Sequence, residues 1–287
     1  MEIVKASLTL IPTRDVILPP VTSKVLKYLI MSGELFPFLR DLVSSRDKHK
    51  PLFISNLGVN GRRLVSMKPV HVPRGTSLDA FISYPLRPDA ITPVNGVFNT
   101  PYGEFQVTLN SIMVLDEFQP PQGNVVRVNF VSPVLLSSMI GLPPSLNPRF
   151  RGRGSNFTIP SPGLIIASAY KTYQGLTRRF DDVKAFKLAV VMNALSKVIN
   201  FRMRPVTVSL GERGDKVRKT RGVKGWIEFE LPPEFRGTMK YLMVGSYLGI
   251  GRSRGIGLGE ISLEVKNLGT APKPDLSRDQ GARSQGV

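Results

Sequence analysis

The chain has 287 residues, 41% hydrophobic and 21% charged, enough for one large or two ordinary domains with a real core. Its 39 Lys and Arg against 21 Asp and Glu leave a formal net charge of +18, a surplus that concentrates polyanions, of which nucleic acid is the commonest. The absence of cysteine excludes disulfides, thiolate zinc sites and cysteine nucleophiles, and two histidines, His49 and His71, argue against a histidine-rich metal site.

The first half opens with the alternating strand "EIVKASLTLIP" (2–12), stopped by Pro19 and Pro20. "PPVTSKVLKYLIMSGELFPFLRDLV" (19–43) has helical periodicity, with Thr22 or Ser23 as its cap. At 100° per residue, Lys24, Lys27 and Tyr28 fall on one face, and Val25, Leu26, Leu29 and Ile30 on the opposite one. The apolar run "YLIMSGELFPFL" (28–39) reads as a surface on which a second copy of the chain would dock. Strand-like runs follow at "PLFISNL", "SLDAFISYPL" and "GEFQVTLNSIMVL". The polar, Pro- and Gly-rich "DEFQPPQGN" (116–124) reads as a linker.

The second half begins with the strand "VVRVNFVSPVLLSS", then a long loop containing "PRFRGRGSNF" (148–157). Two helical stretches come next, "LIIASAYKTYQGLT" and "VKAFKLAVVMNALSKVI" (183–199). The strands "RPVTVSLG" and "GVKGWIEFELP" are joined by the basic segment "ERGDKVRKTR" (212–221). The helix "EFRGTMKYLMVGSYLG" leads into "GIGRSRGIGLGE" (249–260) and the strand "GEISLEVKNL". From 269 to 287 large apolar residues are almost absent, and a disordered tail is expected.

Each half approximates β-α-β-β-α-β, so the expected class is α+β with two tandem ferredoxin-like domains: residues 1–118, a linker at 119–128, and residues 129–268. Residues 129–268 hold 22 basic and 9 acidic residues, net +13, against 14 and 10, net +4, in residues 1–128. A polyanion is therefore expected mainly on the C-terminal half. The glycine loop fails as a dinucleotide or ATP site. It has one residue too many for G-x-G-x-x-G, lacks a GK[ST] end, and lies between a helix and a strand.

What it does carry is Gly249-Ile250-Gly251, five residues, then Gly257-Leu258-Gly259 before the last strand. With "ILPPVTSKVLKYLI", "VNFVSPVLL" and "RGVKGWIEFELP", this resembles the RAMP superfamily of CRISPR-associated RNA-binding proteins. Within it the chain is similar to the endoribonucleases that cut precursor CRISPR RNA within its repeats. The resemblance covers about residues 1–266. It implies metal- and cofactor-free cleavage by the 2′-OH beside the scissile bond, leaving 2′,3′-cyclic phosphate and 5′-OH ends. The implied partners are repeat RNA, mature crRNA and subunits of a CRISPR effector complex. A RAMP subunit that coats guide RNA without cutting it is the alternative, because the first helix lacks the histidine many relatives carry.

Catalysis is then expected from Lys24 and Lys27 on the first helix, with Lys50 or His49 from "RDKHKPLF" and Arg221 reaching the scissile phosphate. In the glycine loop, Gly249, Gly251, Gly257 and Gly259 would open backbone N–H groups to RNA phosphate, helped by Arg252, Ser253 and Arg254. Arg149, Arg151 and Arg153, with Arg218 and Lys219, would extend the grip. Glu228 with Glu230, and Asp181 with Asp182, fit a strand face and a helix N-terminus better than a metal site. No signal-like start and no apolar run of about 18 residues is present, so a cytoplasmic location away from membranes is expected.

Overall fold

The computed structural model describes residues 2–86, 94–119, 121–150, 154–156, 159–213 and 216–267. The N-terminal half contains β1 (Ile3–Pro12), β2 (Val16–Leu18), α1 (Lys24–Ser32), α2 (Arg40–Ser44), β3 (Phe53–Ile54), β4 (Gly58–Val59), β5 (Arg62–Arg63), β6 (Val70–Val72), β7 (Leu78–Pro85), β8 (Asn95–Thr100) and β9 (Gly103–Leu115). Its main sheet pairs β3 with β7, β7 with β1 and β1 with β9, the ferredoxin order, extended by β8 at one edge and by β4 and β5 at the other. Alternation in β1 sends Val4, Ala6, Leu8 and Leu10 towards α1, whose Val25, Leu26, Leu29 and Ile30 are fully buried. Each such side chain contributes roughly 1.5–3 kcal/mol.

The long helical run of the sequence breaks at Gly33, which adopts φ 86° and closes α1 by donating to Leu29 and Ile30 carbonyls. Beyond it Leu35, Phe36 and Leu39 turn into the core, so the expected docking run is interior and only Tyr28 is exposed among its large apolar residues. The capping expectation also changes. The Thr22 hydroxyl donates to the Leu64 carbonyl and accepts from Leu57 N–H, and it is Asn56 Oδ1 that accepts from Ser23 N–H.

The C-terminal half contains β10 (Val125–Val134), α3 (Pro162–Thr177), α4 (Asp182–Leu195), β11 (Lys197–Arg213), β12 (Lys216–Glu230), α5 (Met239–Leu248) and β13 (Ile261–Lys266). The sheet order β11-β12-β10-β13 is again ferredoxin-like, with α3, α4 and α5 over one face. β10 begins at Val125, inside the range expected for the linker. The helix expected to reach 199 stops at Leu195, because Lys197, Val198 and Asn200 pair with Glu230, Phe229 and Glu228. The basic segment 212–221 is mostly strand, the far end of a β11–β12 hairpin. The tail from 269 lies outside the described residues.

The halves are joined by apolar clusters, Ile3 with Leu176, Val244 and Leu248 and Val21 with Leu135, Val208 and Leu258, and by charged contacts. Arg63 of β5 forks onto Glu260 at 2.8–3.1 Å and reaches Asp79 at 2.5 Å. Burial opposes the Arg63 charge, but the two carboxylates outweigh it and raise its pKa. Lys5, on the face of β1 opposite the core, lies over Phe81 and Tyr247, and burial lowers its pKa.

Candidate functional site

Between the halves lies a cleft of about 250 Å³ lined by Lys27, Asp47, Lys48, Lys50, Leu52, Gly251, Ser253, Arg254, Gly255 and Ile256. Three segments distant in sequence build it. The polar face of α1 delivers Lys27, held in place by the buried apolar face behind it. The loop after α2 delivers Asp47, Lys48 and Lys50, and the glycine loop closes the third side.

Lys50 is half-buried, and its Nζ donates to the carbonyls of Val43 at 2.7 Å and Ser45 at 3.1 Å. Burial lowers its pKa below the ordinary lysine value, and the charges of Lys27 and Arg254 lower it further. A lysine in this condition exchanges a proton nearer neutral pH than a solvated one. Asp47 accepts from His49 N–H at 2.8 Å and from Arg178 at 2.6 Å, and these bonds hold its carboxyl below the usual range. Ser253 sits at φ 65°, a left-handed conformation that a serine adopts only under constraint, on the cleft wall.

The glycine loop differs from expectation. A Cβ at Gly249 would stand 2.6 Å from Phe53, and one at Gly251 2.5 Å from the Leu135 carbonyl. At Gly257 it would strike Asn56, and at Gly259 the carbonyl of Ile250. Three of the four N–H groups are engaged too, Gly251 to Ser168 Oγ, Gly257 to Arg254 O and Gly259 to Pro133 O. These four glycines let the two halves and the loop's own arms approach closely, so they do not present an open phosphate cradle. Arg254 is likewise internal. Its guanidinium donates to the carbonyls of Leu248 and Lys50, and burial lowers its pKa to about 10. It braces the Lys50 segment. Arg252 alone of the loop's arginines is exposed.

The other expected residues scatter. Lys24 leaves α1 towards β11, its Nζ 2.6 Å from where a Cβ on Gly211 would stand. His49 does not line the cleft. Its ring packs on Phe180 at 5.1 Å, burial depresses its pKa, and its carbonyl sits where a Cβ on Gly175 of α3 would be. Arg221 pairs with Thr207 in the hairpin, and strand alternation puts it on the face opposite Val206, Val208 and Leu210, which pack with Val21 and Leu258 at the seam. Arg221 is therefore not among the residues that line the cleft. Arg218 and Lys219 lie exposed on the same strand, and Arg149 is exposed beside Phe150. Arg151 and Arg153 lie outside the described residues.

Among the cleft residues, Asp47, Lys48, Leu52, Gly255 and Ile256 escape sequence reasoning, though the first two sit within the charged run that contains Lys50. Asp181 caps α4 by accepting Lys184 N–H at 2.8 Å, and Asp182 pairs with Lys171, in keeping with helix-end charge. Glu230 accepts from Asn124, and Glu228 lies 3.5 Å from Lys266. Among the described residues no group of three or more His, Asp or Glu could hold a metal ion, and no helix is long and apolar enough to cross a membrane.

Two family models match the chain, the Cas6 N-terminal domain over residues 4–115 and the CRISPR-associated endoribonuclease Cas6 over residues 128–261. Two curated Saccharolobus solfataricus proteins are similar along nearly their whole length. CRISPR-associated endoribonuclease Cas6 2 is 44% identical, covering 93% of this chain and 97% of its own. Cas6 1 is 45% identical, covering 91% and 96%. In fold, the chain resembles a solved Cas6 product complex at TM-score 0.58 and 13% identity, over 91% of this chain and 100% of the other. Thermus thermophilus Cas6 superposes at 0.57 with 13% identity, over 91% and 98%.

Proposed function

This chain belongs to the CRISPR-associated endoribonuclease Cas6 family, and from that premise we propose that it cuts CRISPR repeat RNA in the cleft between its halves, without a metal ion. The observation that carries this is the meeting of Lys27 and Lys50, from segments fixed by different packing, opposite Ser253. In the proposed reaction the 2′-OH attacks the adjacent phosphorus, the P–O5′ bond breaks, and cyclic phosphate and 5′-OH ends result. The protein's task is to align the hydroxyl, stabilise the extra phosphorane charge and manage two protons. Lys27 and Lys48 supply positive charge at the phosphate, and Ser253 Oγ supplies a hydrogen bond. Lys50, with its depressed pKa, handles the proton. Exposed Arg252, Arg149, Arg218, Lys219 and Arg221 serve as outlying phosphate contacts, so mutating them should weaken binding more than cleavage.

The test is incubation with repeat RNA in EDTA. Cleavage should persist, leave a cyclic phosphate, and vanish when the nucleotide 5′ of the cut is 2′-deoxy. Dependence on added metal, or a 3′-OH product, refutes the mechanism. Tight binding with no product from any repeat makes the protein a carrier of guide RNA.

A further inference from the structure

A second cavity, of about 430 Å³, lies among α3, α4 and α5 and shares no lining residue with the lysine cleft. Its walls are Tyr170, Tyr173, Gln174 and Thr177 of α3, Lys184 of α4, Lys240 and Tyr241 of α5, and Arg179. The size is that of a small-ligand pocket. Tyr241 meets Tyr170 at 4.8 Å and Tyr173 at 5.1 Å, forming one aromatic wall. Cations ring it: Lys184 lies 5.5 Å from the Tyr170 ring, and Lys240 5.3 Å and 5.8 Å from those of Tyr241 and Tyr173. Among the described residues no carboxylate lines the cavity.

Gln174 is 2% exposed and sets its amide against the Tyr170 hydroxyl, a contact that favours the charged phenolate while burial opposes it. The amide and the hydroxyl together put polar groups on the cavity wall. Aromatic faces for stacking, cations for phosphate and an amide for a base edge are together the recognition set for a nucleotide.

The position identifies the source of that nucleotide. Arg178 binds Asp47 of the lysine cleft at 2.6 Å, and the very next residue, Arg179, lines the tyrosine cavity. A strand leaving the cleft around the C-terminal end of α3 therefore runs into the tyrosines. We propose that this cavity holds an unstacked nucleotide from the single-stranded RNA flanking the cleavage site. The inference rests on the RNA-processing reading above.

The experiment compares a minimal repeat RNA with the same RNA carrying a short single-stranded extension on its 5′ or 3′ side, by fluorescence anisotropy. One extension should tighten binding, and Tyr173→Ala should remove roughly tenfold of that gain, in line with the loss of one stacked base. The minimal repeat should bind and be cut by the variant as by the parent. Tyr173→Ala leaves every charge in place, so a loss confined to the extended RNA separates stacking from general attraction. A second measurement needs no mutation: 4-thiouridine in the extension should crosslink to Tyr170, Tyr173 or Tyr241. The proposal is overturned if neither extension helps the parent protein, or if the gain survives in Tyr173→Ala and crosslinks map elsewhere. If uridine or adenosine 5′-monophosphate raises the melting temperature only when Tyr173 is present, and extensions have no effect, the flanking-RNA assignment is overturned and the cavity is a site for a free nucleotide. If the parent protein binds no repeat RNA of any length, the RNA-processing reading fails, and with it this one.

Discussion

The lysine cleft and the tyrosine cavity carry similar positive charge and differ in the groups around it. The lysine cleft has three ammonium groups, a guanidinium, a carboxylate, a hydroxyl and no aromatic ring; the tyrosine cavity has three rings, an amide and cations around them. The first suits a phosphate at which charge must develop and be met, the second a planar base that must only be held. Charge alone says that RNA binds, whereas the neighbours of each charge say what happens to it.

The largest expected effect breaks the lysine cleft. Lys27→Ala and Lys50→Ala should each lower the single-turnover cleavage rate by about 10²–10⁴-fold, the range of one acid–base or charge-stabilising group. RNA affinity should change far less. Equal losses in rate and affinity in a salt titration would reduce both lysines to phosphate contacts.

The next effect concerns the seam between the halves. Gly257 sits at φ 75° with Asn56 and the Ile54 carbonyl where a Cβ would go, whereas Gly33 at φ 86° has nothing within 4 Å. Gly257→Ala combines backbone strain with overpacking and should cost about 2–4 kcal/mol. Gly33→Ala should show the strain alone, about 1 kcal/mol. Chemical denaturation measures both, and equal losses would show that the seam yields to a methyl group.

This seam is also where the sequence stops being readable. The buried face of α1 is evident from the spacing of Val25, Leu26, Leu29 and Ile30, and the C-terminal ferredoxin order follows from strand and helix runs in turn. Those signals are local. The reason Gly257 is glycine lies some 200 positions away, in an Asn56 whose amide donates to the Gly257 carbonyl. Periodicity cannot report such a partner. The same holds for the start of β11, where Val198 and Ile199 suit helix or strand until β12 arrives to pair, and for His49, whose aromatic neighbour Phe180 is 131 residues away. Lys50 was recognisable as a candidate because a lysine at a strand mouth has a fixed exit, but its carbonyl partners on Val43 and Ser45 were not.

A smaller effect tests the coupling of the two lysines. Lys27 is one cause of the lowered Lys50 pKa, so Lys27→Gln should let the Lys50 pKa rise towards its ordinary value of 10.5. Whichever limb of the pH–rate profile Lys50 governs should then move to higher pH in the residual activity. A limb that stays in place would assign it to another group.

The smallest effect concerns His49. Its pKa lies below 6.5, first through burial and then through the charge of Lys171. Above pH 6.5 it is neutral in both folded and unfolded chains and contributes nothing to the pH dependence. As pH falls through 6.5 the unfolded chain takes a proton that the folded one refuses, so stability declines until the folded pKa is passed. The Asp47 carboxyl works in a separate window: its pKa is depressed below 3.8, so its stabilisation is intact above that value and is lost only in stronger acid. His49→Asn should therefore shrink the drop in melting temperature between pH 7.5 and 5.5. It should also leave cleavage at pH 7.5 near the parent level, because the ring faces Phe180 and not the lysine cleft. A folded His49→Asn protein that no longer cut would return the imidazole to the reaction.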